Sequence, residues 1–318
     1  MNAQDIKRVA VIGAGTMGAG LALSFAVAGI EARLFDISQR QLAVGRERIH
    51  KALELFVQEG VVSPAQAQDI PGLIPAYSDR AAALSGAQFV LEAVPEDLAL
   101  KQRLLAEMER EVAPDTVLAS NTSALYITQI AAQCARPEMV CGMHWWNPPE
   151  LVPLVEVIKG ERTSEATARL VYELCERVDR VPIMVKKEVP GFVGNRMQLA
   201  LFREAMHIVE QGVADPQDVD RAVKYALGFR WSFIGPLETA DLGNLDTWHR
   251  VASYLFPFLA DTKQAPARLG ELVAQGHLGV QTGQGLYEYT PQEAADKVRR
   301  RDLYFLRERR LVKEVNRS

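Results

Sequence analysis

RVAVIGAGTMGAGLALSFAVAG, residues 8–29, is the stretch on which the fold turns. Residues 8–13 form a short apolar run that predicts a strand, and residues 16–28 form an Ala-rich run that predicts a helix ended by Gly29. Between them stands Gly13-Ala14-Gly15-Thr16-Met17-Gly18. Gly13 permits the tight turn, Gly15 lets the backbone approach a ligand, and Gly18 allows helix and strand to pack closely. Such a loop presents the helix N-terminus, at Thr16 and Met17, to a diphosphate, where free N–H groups and the positive dipole end meet its charge. Residues 31–36 (EARLFD) read as a second strand, with Asp36 at its end. An acidic side chain there accepts from ribose hydroxyls and repels a 2′-phosphate, which implies NAD rather than NADP. Arg40, close by, works against a strict preference.

Outward from that stretch, the first half keeps alternating short apolar runs with helical patterns, the mark of a parallel sheet built from βαβ units. An amphipathic segment runs from Ser38 to about Gln58. Strands are expected at 88–94 and 116–120 with a helix over 98–112 between them, then at 139–144 and 152–158, divided by the turn NPPE at 147–150, and last at 181–185. Beyond KKEVPGF (186–192) the pattern becomes helical over 192–212, 215–227 and 238–262. The expectation is an α/β Rossmann-like domain over 1–188, an all-α domain for substrate binding and dimerisation over 189–290, and a charged helical tail over 291–318. That tail holds nine basic and five acidic residues, read as a solvated face.

Composition narrows the class. With 318 residues, 48% hydrophobic and 24% charged, the chain has material for two ordinary globular domains. A formal charge of -4 argues against nucleic acid as the main partner. No apolar run is long enough to span a bilayer, and MNAQDIKRVAVIG enters a strand with no signal peptide ahead of it. Cys134, Cys141 and Cys175 lack metal-ligand spacing, so they read as buried thiols in a reducing cytoplasm, and no metal site is expected.

The chemistry concentrates near His144. It ends an apolar strand at the edge of the sheet where open α/β folds bind ligands. Hydride loss from an alcohol requires a base for the hydroxyl proton, and neutral imidazole suits that role. Glu156 lies in the otherwise apolar run LVPLVEVI, and a buried carboxylate needs a partner. If the two strands are adjacent and antiparallel, the turn at 147–150 returns Glu156 to His144. Ser123 can donate to the substrate oxygen or cap the ALYITQI helix. Asn195, in the first turn of a helix, can donate to the same oxygen or bridge domains. Trp145 and Trp146 either line a pocket or pack in the core. His50, His207, His249 and His277 are assigned no chemistry.

Taken in order, VAVIGAGTMGAGLA, LEAVPEDLALKQ, SNTSAL, GMHWWNPP, PLVEVIKG, VPGFVGNR and TGQGLYEY resemble the 3-hydroxyacyl-CoA dehydrogenase family, over residues 8 to about 289. The resemblance implies a Rossmann-like domain followed by a helical domain that makes a homodimer, and a site in the cleft between domains. It assigns His144 as catalytic base, Glu156 as its carboxylate partner, and Ser123 and Asn195 as holders of the substrate oxygen. It assigns Glu96, Lys101 and Asn147 to seating the cofactor. A rival β-hydroxyacid dehydrogenase family uses a catalytic lysine, for which Lys186 and Lys187 are available, but the His144–Glu156 pair points away from it.

Departures from the family pattern bear on the substrate. CoA-using members carry a serine and a lysine where this chain has residues near Ile49 and Phe56, and a lysine where it has Pro153. Gln281 replaces a family lysine that helps seat the cofactor. GFRWSFIGPLE (228–238) resembles the L-gulonate and L-carnitine branch and brings in Arg230, whose planar fork suits a carboxylate. Three readings stand: an NAD-dependent dehydrogenase of a small hydroxy acid, an L-3-hydroxyacyl-CoA dehydrogenase of fatty-acid metabolism, and a crystallin-like NAD-binding protein without catalysis.

Overall fold

The computed structural model describes residues 2–315. Its first compact unit extends to Arg196 and its second begins at Met197. Residues 189–196, just past the expected boundary at 188, cluster with the sheet. Phe192 is buried there, and the N–H groups of Val193 and Gly194 donate to Glu156.

The first unit is a mixed eight-stranded sheet flanked by helices. In chain order its main elements are β1 (Arg8–Ile12), α1 (Thr16–Val27), β2 (Glu31–Phe35), α2 (Gln39–Gln58), β3 (Ala76–Tyr77), β4 (Phe89–Glu92), α3 (Leu98–Glu111), β5 (Val117–Ser120), β6 (Val140–Trp145), β7 (Leu154–Ile158), α4 (Glu165–Arg177) and β8 (Val181–Val185). The strand order is β3-β2-β1-β4-β5-β6-β7-β8. All neighbours are parallel except β6 and β7. Strand order reverses between β1 and β4, so a ligand crevice opens at the C-terminal ends of those two strands.

β1, β4 and β5 are almost wholly buried, as parallel strands covered on both faces must be. Helix α1 is apolar all round and buried from Gly18 to Ala26, which suits a helix packed between sheet and neighbours. Helix α2 is amphipathic. It buries Leu42, Gly45, Ile49, Leu53 and Phe56 at helical spacing, and the Ser38 side chain caps its start by accepting from the Gln41 N–H. The two-residue β3 on the sheet edge is too short to register as an alternating run.

The second unit is helical over Gly194–Glu210 (which starts in the first unit), Pro216–Ala222, Gly228–Trp231, Pro236–Leu242, Leu245–Leu255, Ala267–Ala274 and Pro291–Val315. The expected helix over 238–262 is broken at Gly243–Asn244, where Asn244 takes a φ of 71°. The segment 228–238 is partly helical. The basic tail is one 25-residue helix, with 316–318 outside the described residues.

Candidate active site

The nucleotide-binding end is built by β1, α1 and β2. Gly13 adopts a φ of +106°, and a Cβ at Gly18 would fall 1.7 Å from the Gly13 carbonyl oxygen, so neither position tolerates a side chain. At Gly15 a Cβ would meet nothing within 4 Å, so the loop offers open space for a ligand to approach the backbone. Gly15 brings no side-chain acceptor to the first N–H groups of α1, leaving them for an anion. Asp36 Oδ2 accepts from the Ala14 N–H at 2.9 Å, and Oδ1 from the Ser38 N–H at 2.8 Å. Each carboxylate oxygen keeps a lone pair for a ribose hydroxyl. These residues fit an adenine dinucleotide.

At the other end of the crevice, β6 and β7 pair antiparallel with His144 directly opposite Glu156. The Glu156 Oε2 lies 2.7 Å from His144 Nδ1, with both residues buried. Its Oε1 accepts from Val193 and Gly194 at 2.9 and 3.0 Å. Burial pushes the Glu156 carboxyl up, but His144 and the two N–H groups outweigh it and hold the pKa below the ordinary carboxylate value. An ionised carboxylate only accepts, so Nδ1 carries a proton, and in the neutral ring Nε2 presents its lone pair. The imidazole sits between Trp146 and Phe192, whose rings lie 5.7 and 5.8 Å away between centroids. Trp145, by contrast, is core: 1% exposed, against Phe25 and beneath the Arg180 guanidinium.

Between these ends lies a carboxylate–ammonium network. Lys101 Nζ meets Glu92 Oε1 at 2.7 Å, Glu96 Oε2 at 3.3 Å and the Val94 carbonyl at 3.3 Å. Lys101 is 1% exposed and an ammonium has three donors, so its capacity is filled by protein. It holds Glu96 rather than reaching outward. Glu96 in turn accepts from the Thr122 hydroxyl at 2.5 Å and from the N–H groups of Ser123 and Ala124. Partial burial raises the Glu96 pKa, but Thr122, Lys101 and Ser123 together bring it below its usual value. The loop carrying Ser123 is thereby pinned to the loop carrying Glu96.

The short helix Ile127–Ile130 is capped at Tyr126 with no side-chain bond, so Ser123 is not its cap. Ser123 is exposed, and its carbonyl accepts from Asn195 Nδ2 at 3.2 Å. The first unit therefore brings His144, Glu156, Ser123, Asn195 and Glu96 together at one edge. Asn147 is exposed just beyond β6. Arg230 lies in the second unit, its Nε donating to the Ala226 carbonyl in the turn ahead of its short helix. Glu92 went unnoticed in the sequence, although a carboxylate within the apolar run FVLEAV carried the same signal as Glu156. Among the described residues no cluster of side chains could hold a metal, and no helix is long and apolar enough to cross a membrane. Burial pushes the Cys134 and Cys141 thiols up to about 12, so they are inert.

The NAD-binding domain of 3-hydroxyacyl-CoA dehydrogenase matches residues 8–189, and the C-terminal domain of the same family matches 191–289. A 5-formyl-3-hydroxy-2-methylpyridine 4-carboxylate 5-dehydrogenase from Mesorhizobium japonicum is 34% identical over 288 residues, 91% of this chain and 92% of the relative. A solved structure of such a dehydrogenase, described as an NAD+-dependent dismutase, superposes with a TM-score of 0.91 at 33% identity, over 97% of this chain and 99% of that one. The (S)-3-hydroxybutyryl-CoA dehydrogenase of Ralstonia eutropha superposes with a TM-score of 0.73 at 35% identity, over 90% and 100%. This chain belongs to the 3-hydroxyacyl-CoA dehydrogenase family and is an NAD-dependent oxidoreductase acting on hydroxyl groups.

Proposed function

We propose that the protein oxidises the secondary alcohol of a small carboxylate-bearing substrate, taken as the free acid, with His144 as the general base. The observation that carries the chemistry is the buried His144–Glu156 pair at 2.7 Å. His144 Nε2 takes the hydroxyl proton, and Glu156 fixes the tautomer and stabilises the imidazolium as it forms. The hydroxyl of Ser123 and the second amide N–H of Asn195 donate to the substrate oxygen as it becomes a carbonyl. Bound NAD+ supplies the ring that accepts the hydride, and Gly13 to Gly18 with Asp36 would hold it.

The free-acid reading has three supports. The pyridine relative's name describes a ring carboxylate. The alignment with the solved pyridine dehydrogenase, at 97% of this chain, runs into the helix Pro291–Val315, which lies beyond the family's C-terminal domain. Ile49 and Phe56, which stand near the family's CoA-contacting positions, are buried at 4% and 3% exposure and face the core. Arg230, exposed and with both Nη groups without partners among the described residues, presents a guanidinium fork of the kind that suits a carboxylate. A formyl group, once hydrated, offers the same O–H and C–H to this site, so aldehydes belong among the test substrates.

The test compares kcat/KM for 3-hydroxybutyryl-CoA with that for free hydroxy acids and aromatic aldehyde carboxylates. Turnover of the CoA ester above about 10⁴ M⁻¹s⁻¹, normal for a natural substrate, would defeat the free-acid reading and favour a role in fatty-acid metabolism. The working form is a cytoplasmic homodimer joined through the helical unit. Phe229, Phe256 and Phe258 there are 76%, 70% and 67% exposed, more apolar surface than a stable monomer leaves uncovered.

A further inference from the structure

The diphosphate end of the crevice holds a cation that the glycine motif does not account for. Helix α2 packs against the glycine loop at Gly45, where an added Cβ would stand 3.1 Å from the Ala14 carbonyl oxygen. Only a residue without a side chain lets the helix come that close. Arg48 lies three residues on, so it shares roughly the same helix face. Its Nη1 donates to the Thr16 hydroxyl at 2.6 Å. Thr16 is the first residue of α1, where the unpaired N–H groups point outward.

The direction of this bond matters. A guanidinium only donates, so Thr16 Oγ1 must accept, and its own proton is left over. Among the described residues that proton has no acceptor, and the other N–H groups of Arg48 have no carboxylate or carbonyl partner. Both side chains are exposed. A free hydroxyl proton, a free guanidinium edge and the α1 N–H groups therefore meet at one place, in a chain of net charge -4. An exposed arginine in no ion pair among the described residues, held by a hydroxyl at the start of α1, is placed for an anionic ligand rather than for a structural ion pair.

We propose that Arg48 and the Thr16 hydroxyl are part of the diphosphate cradle, with Arg48 supplying a cation to the dinucleotide and turning the Thr16 proton toward it. Asp36 reads the ribose by accepting; Arg48 reads the diphosphate by donating. The pair thus divides recognition of the cofactor's ADP half between an anion and a cation from neighbouring elements.

Direct binding measurements test this without turnover. NAD+, ADP-ribose, adenosine and NADP+ are titrated by calorimetry against the wild type, Arg48→Met and Arg48→Lys, at low and at high salt. Arg48→Met is expected to weaken NAD+ and ADP-ribose alike by about fivefold at low salt, the scale of one exposed charge contact. The loss should shrink at high salt, where exposed charges are screened. Adenosine, which has no diphosphate, should bind unchanged, and Arg48→Lys should keep part of the affinity. Less than a twofold change for ADP-ribose would overturn the proposal. So would an equal loss for adenosine, which marks a merely structural role. A loss confined to NADP+ would also overturn it, because Arg48 would then be reading a 2′-phosphate.

Discussion

The two units of this chain treat apolar side chains in opposite ways. Up to Arg196, the strands and helices close a core in which Val9, Leu21, Phe25, Phe89, Leu105 and Val157 are entirely inaccessible. From Met197 on, Met206 and Leu306 are the large apolar side chains buried among the described residues, while Trp248, Tyr254 and the three phenylalanines named above stay open. The difference teaches where function can be complete. The sheet unit satisfies its own backbone and core, and it carries a formed His–Glu pair and a formed nucleotide loop. The helical unit has amphipathic helices whose large apolar side chains stay open among the described residues, and the proposed dimer rests on that.

The sharpest way to break that contrast is His144→Ala. If the sheet unit holds the chemistry, turnover should fall by at least about 10²-fold while NAD+ affinity, read by titration, stays the same. Near wild-type turnover on the true substrate would remove the base from His144. Glu156→Gln should cost a similar or smaller factor. It also weakens the anchor for Val193 and Gly194, so the melting temperature should fall with it, by an amount matching roughly 1–3 kcal/mol.

Asp36→Ala should weaken NAD+ binding about tenfold and narrow the gap to NADP+, since it removes two ribose acceptors and a like charge. A native preference for NADP+ would contradict the assignment. For the helical unit, light scattering at micromolar concentration should give twice the 35.2 kDa chain mass. A monomer would mean that the open apolar faces are tolerated, and the contrast between units would lose its meaning.

The smallest expected effect is in acid. Glu156 has a lowered pKa in the folded state, so its contribution to stability is full above the unfolded carboxylate value and is lost as pH falls through the folded one. Wild type should therefore lose stability below about pH 4 more steeply than Glu156→Gln. Parallel acid limbs in the two proteins would show that the pair does not contribute in this way.

Much of this was legible in the residues. Gly13, Gly15 and Gly18 spell a strand-turn-helix because left-handed backbone and close approach are local demands that glycine alone meets. His144 and Glu156 could be paired on paper because the turn NPPE sets a short antiparallel return, and the register places them opposite each other. The helical second half was also plain, although the break at Asn244 was not, since an asparagine in left-handed backbone leaves no periodic trace.

By itself, then, the sequence determined the nucleotide fold, the position of Asp36 at the end of β2 and the candidate base, because each depends on groups a few residues apart or on the period of burial. Only the tertiary structure decided who holds whom. Lys101 proved to be enclosed by Glu92, Glu96 and a carbonyl, so it supports Glu96 instead of meeting a ligand directly. Glu156 proved to hold the start of the Gly194 helix as well as His144. Arg48 reached Thr16 across two helices. These contacts join residues from separate elements, and which donor finds which acceptor is set by strand order and helix packing, which no local window of sequence contains.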